Sequence, residues 1–286
     1  MTTLTARQTS VQRNPLILFF VLVLALTWPF LIVDALGSHG VFPFRLNIPL
    51  LIVTGYMPTL AAVIVTGLTE GRAGVRALFR KLLIARVGLR WYFFAIFGFG
   101  ALCIAAILLY NLSGGSPALP LLAKDAPPFS NVPGFTLNIL LLFFITGIVN
   151  GEELAWRGYA LPKLQGKYSA LTSSLILGVI WTMFHLPLFF TLTGSSQANE
   201  SFVSFLIGTV SLTVLFTWMY NHTRGSVLLA YLLHASTNTW TRILSISTSN
   251  RLESWTLTAL VVLFAVIVIV KAGPENLSRT RARVKD

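Results

Sequence analysis

Apolar stretches separated by short charged segments run the length of the chain. Asp, Glu, Lys and Arg are absent from residues 14–33, 46–69, 91–123, 126–151, 168–199, 201–223, 225–241 and 254–270. The shortest of these stretches has 17 residues. An α-helix crosses the hydrocarbon core with about 20 predominantly apolar residues, with a usual range of roughly 17–25. The pattern predicts an all-α, polytopic integral membrane protein. Its eight spanning helices are expected at 15–34, 48–69, 91–111, 136–161, 169–192, 201–220, 225–245 and 254–271.

Composition supports the pattern. The chain is 55% hydrophobic and only 10% charged, whereas soluble domains carry about 25% charged residues. A net charge of +12 would suit nucleic acid, but the charges sit in the wrong places for it. With the N-terminus inside, only Arg45, Lys124, Arg242 and Arg251 of the 21 Lys and Arg residues fall outside. This is the positive-inside asymmetry, and it predicts cytoplasmic N- and C-termini. The basic loops then face anionic lipid headgroups, so the expected partner is the bilayer and not nucleic acid. The first apolar run is too long for a signal-peptide core and lacks a small-x-small cleavage site, so it reads as a retained helix. A single cysteine, Cys103, excludes an intrachain disulfide and a cysteine-based metal site, and its apolar neighbours give it a packing role.

Between the spans, residues 70–90 interleave basic and apolar groups, which predicts an amphipathic helix on the inner leaflet. Residues 112–134 hold five of the 13 prolines and read as an irregular outer connector. The basic C-terminal tail reads as a topology anchor, and His39 and His222 as solvated loop residues. No internal repeat is present, which removes the support for an inverted-repeat carrier. The organisation is one structural domain in three stretches: N-terminal helices 1–134, a central core 135–245, and a last helix with its tail 246–286.

The candidate chemistry lies in the central stretch. Glu152 and Glu153 close the charge-free run 126–151, and carboxylates at membrane depth are costly enough to indicate function. Glu153 and Arg157 are four apart and share a helix face, so Glu153 is expected to pair with Arg157. Glu152 points about 100° away, free to face a cavity as a general base or acid. Trp181 and His185 share a face of the next predicted helix, where Pro187 can kink the backbone and open space. His234 and Asn238 are likewise one turn apart. Counted from the inner turns, Glu152 lies roughly 21 Å up its helix, His185 roughly 28 Å, His234 roughly 17 Å and Asn238 roughly 22 Å. Tilt and kinks can absorb that spread.

Glu152-Glu153-Leu-Ala-Trp-Arg157 resembles the EExxxR motif of the CPBP intramembrane proteases, the family of CAAX prenyl endopeptidases and of bacteriocin-processing and self-immunity proteins. Trp181-Thr-Met-Phe-His185 is similar to its FxxxH motif, with Trp181 where Phe is usual. His234-Ala-Ser-Thr-Asn238 is similar to its HxxxN motif. The resemblance spans residues 135–245.

The resemblance implies peptide-bond hydrolysis in a membrane-associated peptide or protein. Glu152 would activate water with help from His185. His234 and Asn238 would stabilise the oxyanion, and Glu153, Arg157 and Trp181 would support the site. Two mechanisms are open: the protein alone activates the water, or Glu152, His185 and His234 bind a zinc ion that lowers the water pKa. The other class of reading is a non-catalytic immunity or scaffold protein, or an ion-binding carrier, using the same cluster. The compact, loop-poor chain suits a bacterial plasma membrane.

Overall fold

The structure, a computed structural model, describes residues 14–115, 120–124, 126–128, 130–192, 195, 197–198, 200–244, 246, 251–280 and 282–285. Arg7, Arg13 and Arg281 of the predicted basic face lie outside these residues, as does the side chain of Arg251.

The first helix, α1 (Pro15–Ser38), starts with Pro15 in its first turn, where a missing N–H costs nothing. Helix α2 (Ile48–Arg80) starts at Asn47, whose side chain accepts from the Leu50 N–H. It bends at Gly71, where φ is 68°, a conformation that glycine adopts at little cost. Past the bend, Arg72, Arg76 and Arg80 face outward while Leu78 is buried. The amphipathic segment is therefore the continuation of α2, ending in a 3₁₀ turn, Lys81–Leu83. Lys81 turns inward and donates to the Gly158 carbonyl at 2.7 Å. Helix α3 (Leu89–Leu112) contains a π-helical turn, Phe94–Gly98. A π-turn shifts the hydrogen-bond ladder locally. The Ile96 carbonyl there accepts from Ser236 Oγ at 2.9 Å and Trp240 Nε1 at 2.6 Å.

The predicted helix 136–161 is broken. Helix α4 (Val132–Val149) stops at Asn150, and a π-helical segment, Leu154–Ala160, then leads into α5 (Leu161–Gln165). The break is held against α2. A Cβ on Gly151 would lie 2.4 Å from the Tyr56 ring, and Thr59 Oγ1 donates to the Gly151 carbonyl at 2.5 Å. The predicted helix 169–192 is also shortened: α6 (Ala170–Phe184) gives way at His185 to a 3₁₀ turn, Leu186–Phe190. Pro187 lacks the N–H that a continuing helix would need. Helices α7 (Phe202–His222), α8 (Val227–Ile243) and α9 (Arg251–Ala272) follow near the predicted positions. The outer connector contributes one isolated antiparallel bridge, Leu122 to Leu244.

Among the described residues, α1, α2, α3, α7 and α9 each contain a span long and apolar enough to cross a membrane, while α4 and α6 contain shorter apolar spans. The protein is an all-α polytopic membrane protein. One face of α4 exposes Leu137, Leu140, Leu141, Phe144 and Ile145, a helical stripe suited to lipid. The opposite extreme is the segment around 154–164. Leu154, Ala155, Trp156, Tyr159, Ala160 and Leu161 are almost wholly buried, packed with Phe19 of α1, Ala61 and Val65 of α2, and Phe216 of α7. The broken helix is thus the centre of the bundle.

At the basic end of the bundle, the chain after α9 folds back. The Glu275 and Pro274 carbonyls accept from the Ala170 and Leu171 N–H groups that open α6, at 2.8 and 3.0 Å. Asn221 Nδ2 donates to the Asn276 carbonyl, and Gln165 Nε2 to the Val284 carbonyl, both at 2.8 Å. Arg283 pairs with Glu275 and donates to the Gln165 carbonyl. The tail is a structural strap, which the topology-anchor reading missed because its contacts are to amides far away in sequence. His222 is not solvated. Its ring lies 5.0 Å from Trp91, and its nitrogens meet the Trp218 carbonyl and Ser278 Oγ.

Candidate active site

The helix break delivers Glu152 to the start of a new helical segment. Its carbonyl accepts from the Ala155 and Trp156 N–H groups, so the side chain leaves the backbone where the ladder has just restarted. Glu152 is 6% exposed. It is not free in a cavity, as the spacing suggested. Oε2 accepts from Trp156 Nε1 and from Trp181 Nε1, each at 2.8 Å. Oε1 makes no hydrogen bond among the described residues.

Glu153 faces the other way, as expected, and is fully buried with Arg157. Its Oε1 accepts from Arg157 Nη1 and His234 Nδ1, both at 2.8 Å. The rest of the guanidinium is satisfied by ring faces, with Cζ 4.3 Å from the Trp181 centroid and 3.8 Å from the Phe216 centroid. Such contacts are worth about 2 kcal/mol when desolvated. They help to offset the cost of burying Arg157 Nε and Nη2, which have no hydrogen-bond partner among the described residues.

The two histidines are oriented through their Nδ1 atoms. His185 caps the end of α6, with Nδ1 2.8 Å from the Trp181 carbonyl. His234 Nδ1 faces the Glu153 carboxylate. Facing acceptors, both Nδ1 atoms donate, which leaves each Nε2 for chemistry. Trp181 joins the two rings, with centroids 6.1 Å from His185 and 5.3 Å from His234. Asn238 lies one turn beyond His234 on α8, half-buried, and its side chain makes no hydrogen bond among the described residues.

The structure therefore gathers Glu152, Glu153, Arg157, Trp181, His185 and His234 into one cluster. Zinc binding would need Glu152, His185 and His234 to converge on one ion. Among the described residues, no group of three His, Cys, Asp or Glu side chains is placed to hold one. An open cleft of about 410 Å³ at the basic end is lined by Pro15, Leu16, Glu70, Lys163, Gly166 and Lys167; none of the clustered residues lines it. Sequence reasoning missed Trp156 and Phe216. Trp156 was accessible to it, being four residues after Glu152 and so on the same helix face. Phe216 was not, because nothing in α7 marks one aromatic among many as lying over an arginine.

Residues 132–240 match the family model described as type II CAAX prenyl endopeptidase Rce1-like. Residues 132–240 are therefore similar to that family. Its three motifs lie inside the matched region, which begins at α4 and ends in α8. Over 129 residues the chain is 30% identical to a protein of Methanococcus maripaludis named CAAX prenyl protease 2. The alignment covers 42% of this chain and 47% of that protein. The matched region thus coincides with the broken helix, α6, α7 and α8, the elements that build the cluster.

Proposed function

We propose that the chain is an intramembrane endopeptidase that hydrolyses a peptide bond in a membrane-associated peptide or protein. The observation that carries this reading is the asymmetry of Glu152: one carboxylate oxygen is held and the other is open, in a buried site with two oriented imidazoles. A water between Glu152 Oε1 and His185 Nε2 would lose a proton to Oε1 as its oxygen attacks the carbonyl carbon. The tetrahedral oxyanion would accept from Asn238 Nδ2 and from the His234 ring. Collapse would break the C–N bond, with the proton passing from Glu152 to the leaving amine. Glu153 and Arg157 hold His234 in register. The family match and the relative named a CAAX prenyl protease support peptide hydrolysis as the reaction class. The basic end of the bundle faces the cytoplasm in this reading, by the positive-inside distribution.

The test is cleavage by the purified protein in nanodiscs. A diverse peptide mixture that includes prenylated C-terminal sequences is read by mass spectrometry, beside Glu152→Gln. Cleavage by the wild type alone supports the reading. Equal cleavage by a folded Glu152→Gln variant defeats the assignment of Glu152. Loss of activity on chelation, restored by zinc, would replace the protein-only mechanism with a metal-dependent one.

A further inference from the structure

Both hydrogen bonds to Glu152 arrive on one oxygen, and both come from indoles. Trp156 reaches Oε2 from the π-helical segment and Trp181 reaches it from α6, at 2.8 Å each. Neither ring has room to swing. Trp156 is 0% exposed, with ring centroids 5.9 Å from Phe19 and 5.6 Å from Phe184. Trp181 packs edge-on to Phe216 at 5.8 Å and lies beneath the Arg157 guanidinium. The two N–H vectors are therefore fixed by packing from three helices.

A glutamate left to itself has no such definition. Its terminal torsion is broad and nearly two-fold, so either oxygen can present itself over a range of angles. Two fixed donors on Oε2 set the plane of the carboxylate and leave Oε1 as the reactive oxygen. They also supply the hydrogen bonds that a carboxylate needs where lipid supplies none.

We propose that Trp156 and Trp181 are a two-point clamp that selects Glu152 Oε1 as the atom that receives the proton of the attacking water. Both are positioning residues, and the clamp rests on the reading of Glu152 as the base. It predicts an effect on turnover and not on substrate binding, since neither indole N–H is left to meet a substrate.

The test removes the N–H and keeps the ring. Benzothienylalanine, which carries sulfur in place of the indole N–H, is placed at position 156, at 181, or at both. The clamp predicts a kcat lower by about tenfold for each replacement, with KM within about twofold. A folded double replacement that retains kcat within about threefold of wild type overturns the clamp. A second measurement needs no turnover and no altered tryptophan. In protein labelled at the indole nitrogens of its seven tryptophans, Glu152→Ala shifts two N–H resonances, assigned to Trp156 and Trp181. Unmoved resonances also overturn the proposal. An active Glu152→Gln variant would instead remove the base assignment, so the two failures are distinguishable.

Discussion

Gln165 and Asn221 exchange a reciprocal pair of amide hydrogen bonds. Gln165 Nε2 donates to Asn221 Oδ1 at 3.1 Å, and Asn221 Nδ2 donates to Gln165 Oε1 at 2.8 Å. Both side chains are almost fully buried. Each also grips the strap, through the Val284 and Asn276 carbonyls. The pair ties α5, α7 and the strap together.

Asn221→Leu leaves Gln165 and the Asn276 carbonyl without their partner in a buried place. Orphaned buried groups cost about 1–3 kcal/mol each. A loss of about 2–4 kcal/mol is expected, seen as a lower melting midpoint and faster proteolysis after residue 272. An unchanged midpoint would show that the strap contributes nothing to folding.

Gly178 brings α6 against α7. A Cβ there would stand 2.7 Å from Val210 Cα, a backbone atom that cannot turn aside. Helix pairs in lipid gain stability from such close approach between small residues. Gly178→Ala should force the helices apart at a cost of about 1–3 kcal/mol. Thermal unfolding in detergent measures it, and Gly147→Ala is the control, because its Cβ would meet nothing within 4 Å among the described residues.

The buried pair Glu153–Arg157 and the carboxylate Glu152 should separate in mutants. Arg157→Met removes one of the two donors to Glu153, its charge partner, and takes the cation from the Trp181 and Phe216 faces. Breaking a buried pair costs about 3–5 kcal/mol. Glu152→Gln keeps an oxygen to accept from the two indoles and should leave the melting midpoint within about 2 °C of wild type while abolishing cleavage. Equal destabilisation by both would remove the division between supporting and reacting carboxylates.

Glu200, in the connector before α7, adds a pH dependence of its own. Burial pushes its carboxyl up from 4.5 to about 7. With the folded pKa above the unfolded one, folding takes up a proton between the two values. The stability associated with the neutral form is complete below about pH 4.5 and is lost as pH rises through about 7. Glu200→Gln does not titrate. Its unfolding free energy should match wild type at low pH and exceed it above about pH 8, by about 1–2 kcal/mol once partial solvent access is allowed for. Parallel curves across that range would contradict the assignment.

How much was legible follows from what each signal depends on. The apolar runs locate the long helices, because length and hydropathy are properties of the chain alone; they do not locate α5, which holds Lys163 between two runs. The Glu153–Arg157 pair is legible for the same reason, as a spacing of four within one helix. The break at Asn150–Gly151 is not, because it exists only where Tyr56 and Thr59 press on it from α2. Trp181 was legible as an aromatic but not as a donor, since its N–H has a partner only once α6 lies beside the restarted helix. His222 looks like a loop residue until Trp91 and Ser278 arrive from distant segments.

The strap has a consequence for the order of events during biosynthesis. The first amides of α6 find their acceptors at Pro274 and Glu275, about a hundred residues later in the chain. While the ribosome is still making α7 to α9, α6 has emerged with Thr172 capped by Ser169 but with the Ala170 and Leu171 amides lacking their acceptors. No strap yet reinforces the Gln165–Asn221 pair between α5 and α7. Closure of the basic end is therefore a late step of maturation. A nascent chain stalled after α8 would carry every residue of the acid cluster and still lack the latch that locks the basic end around it.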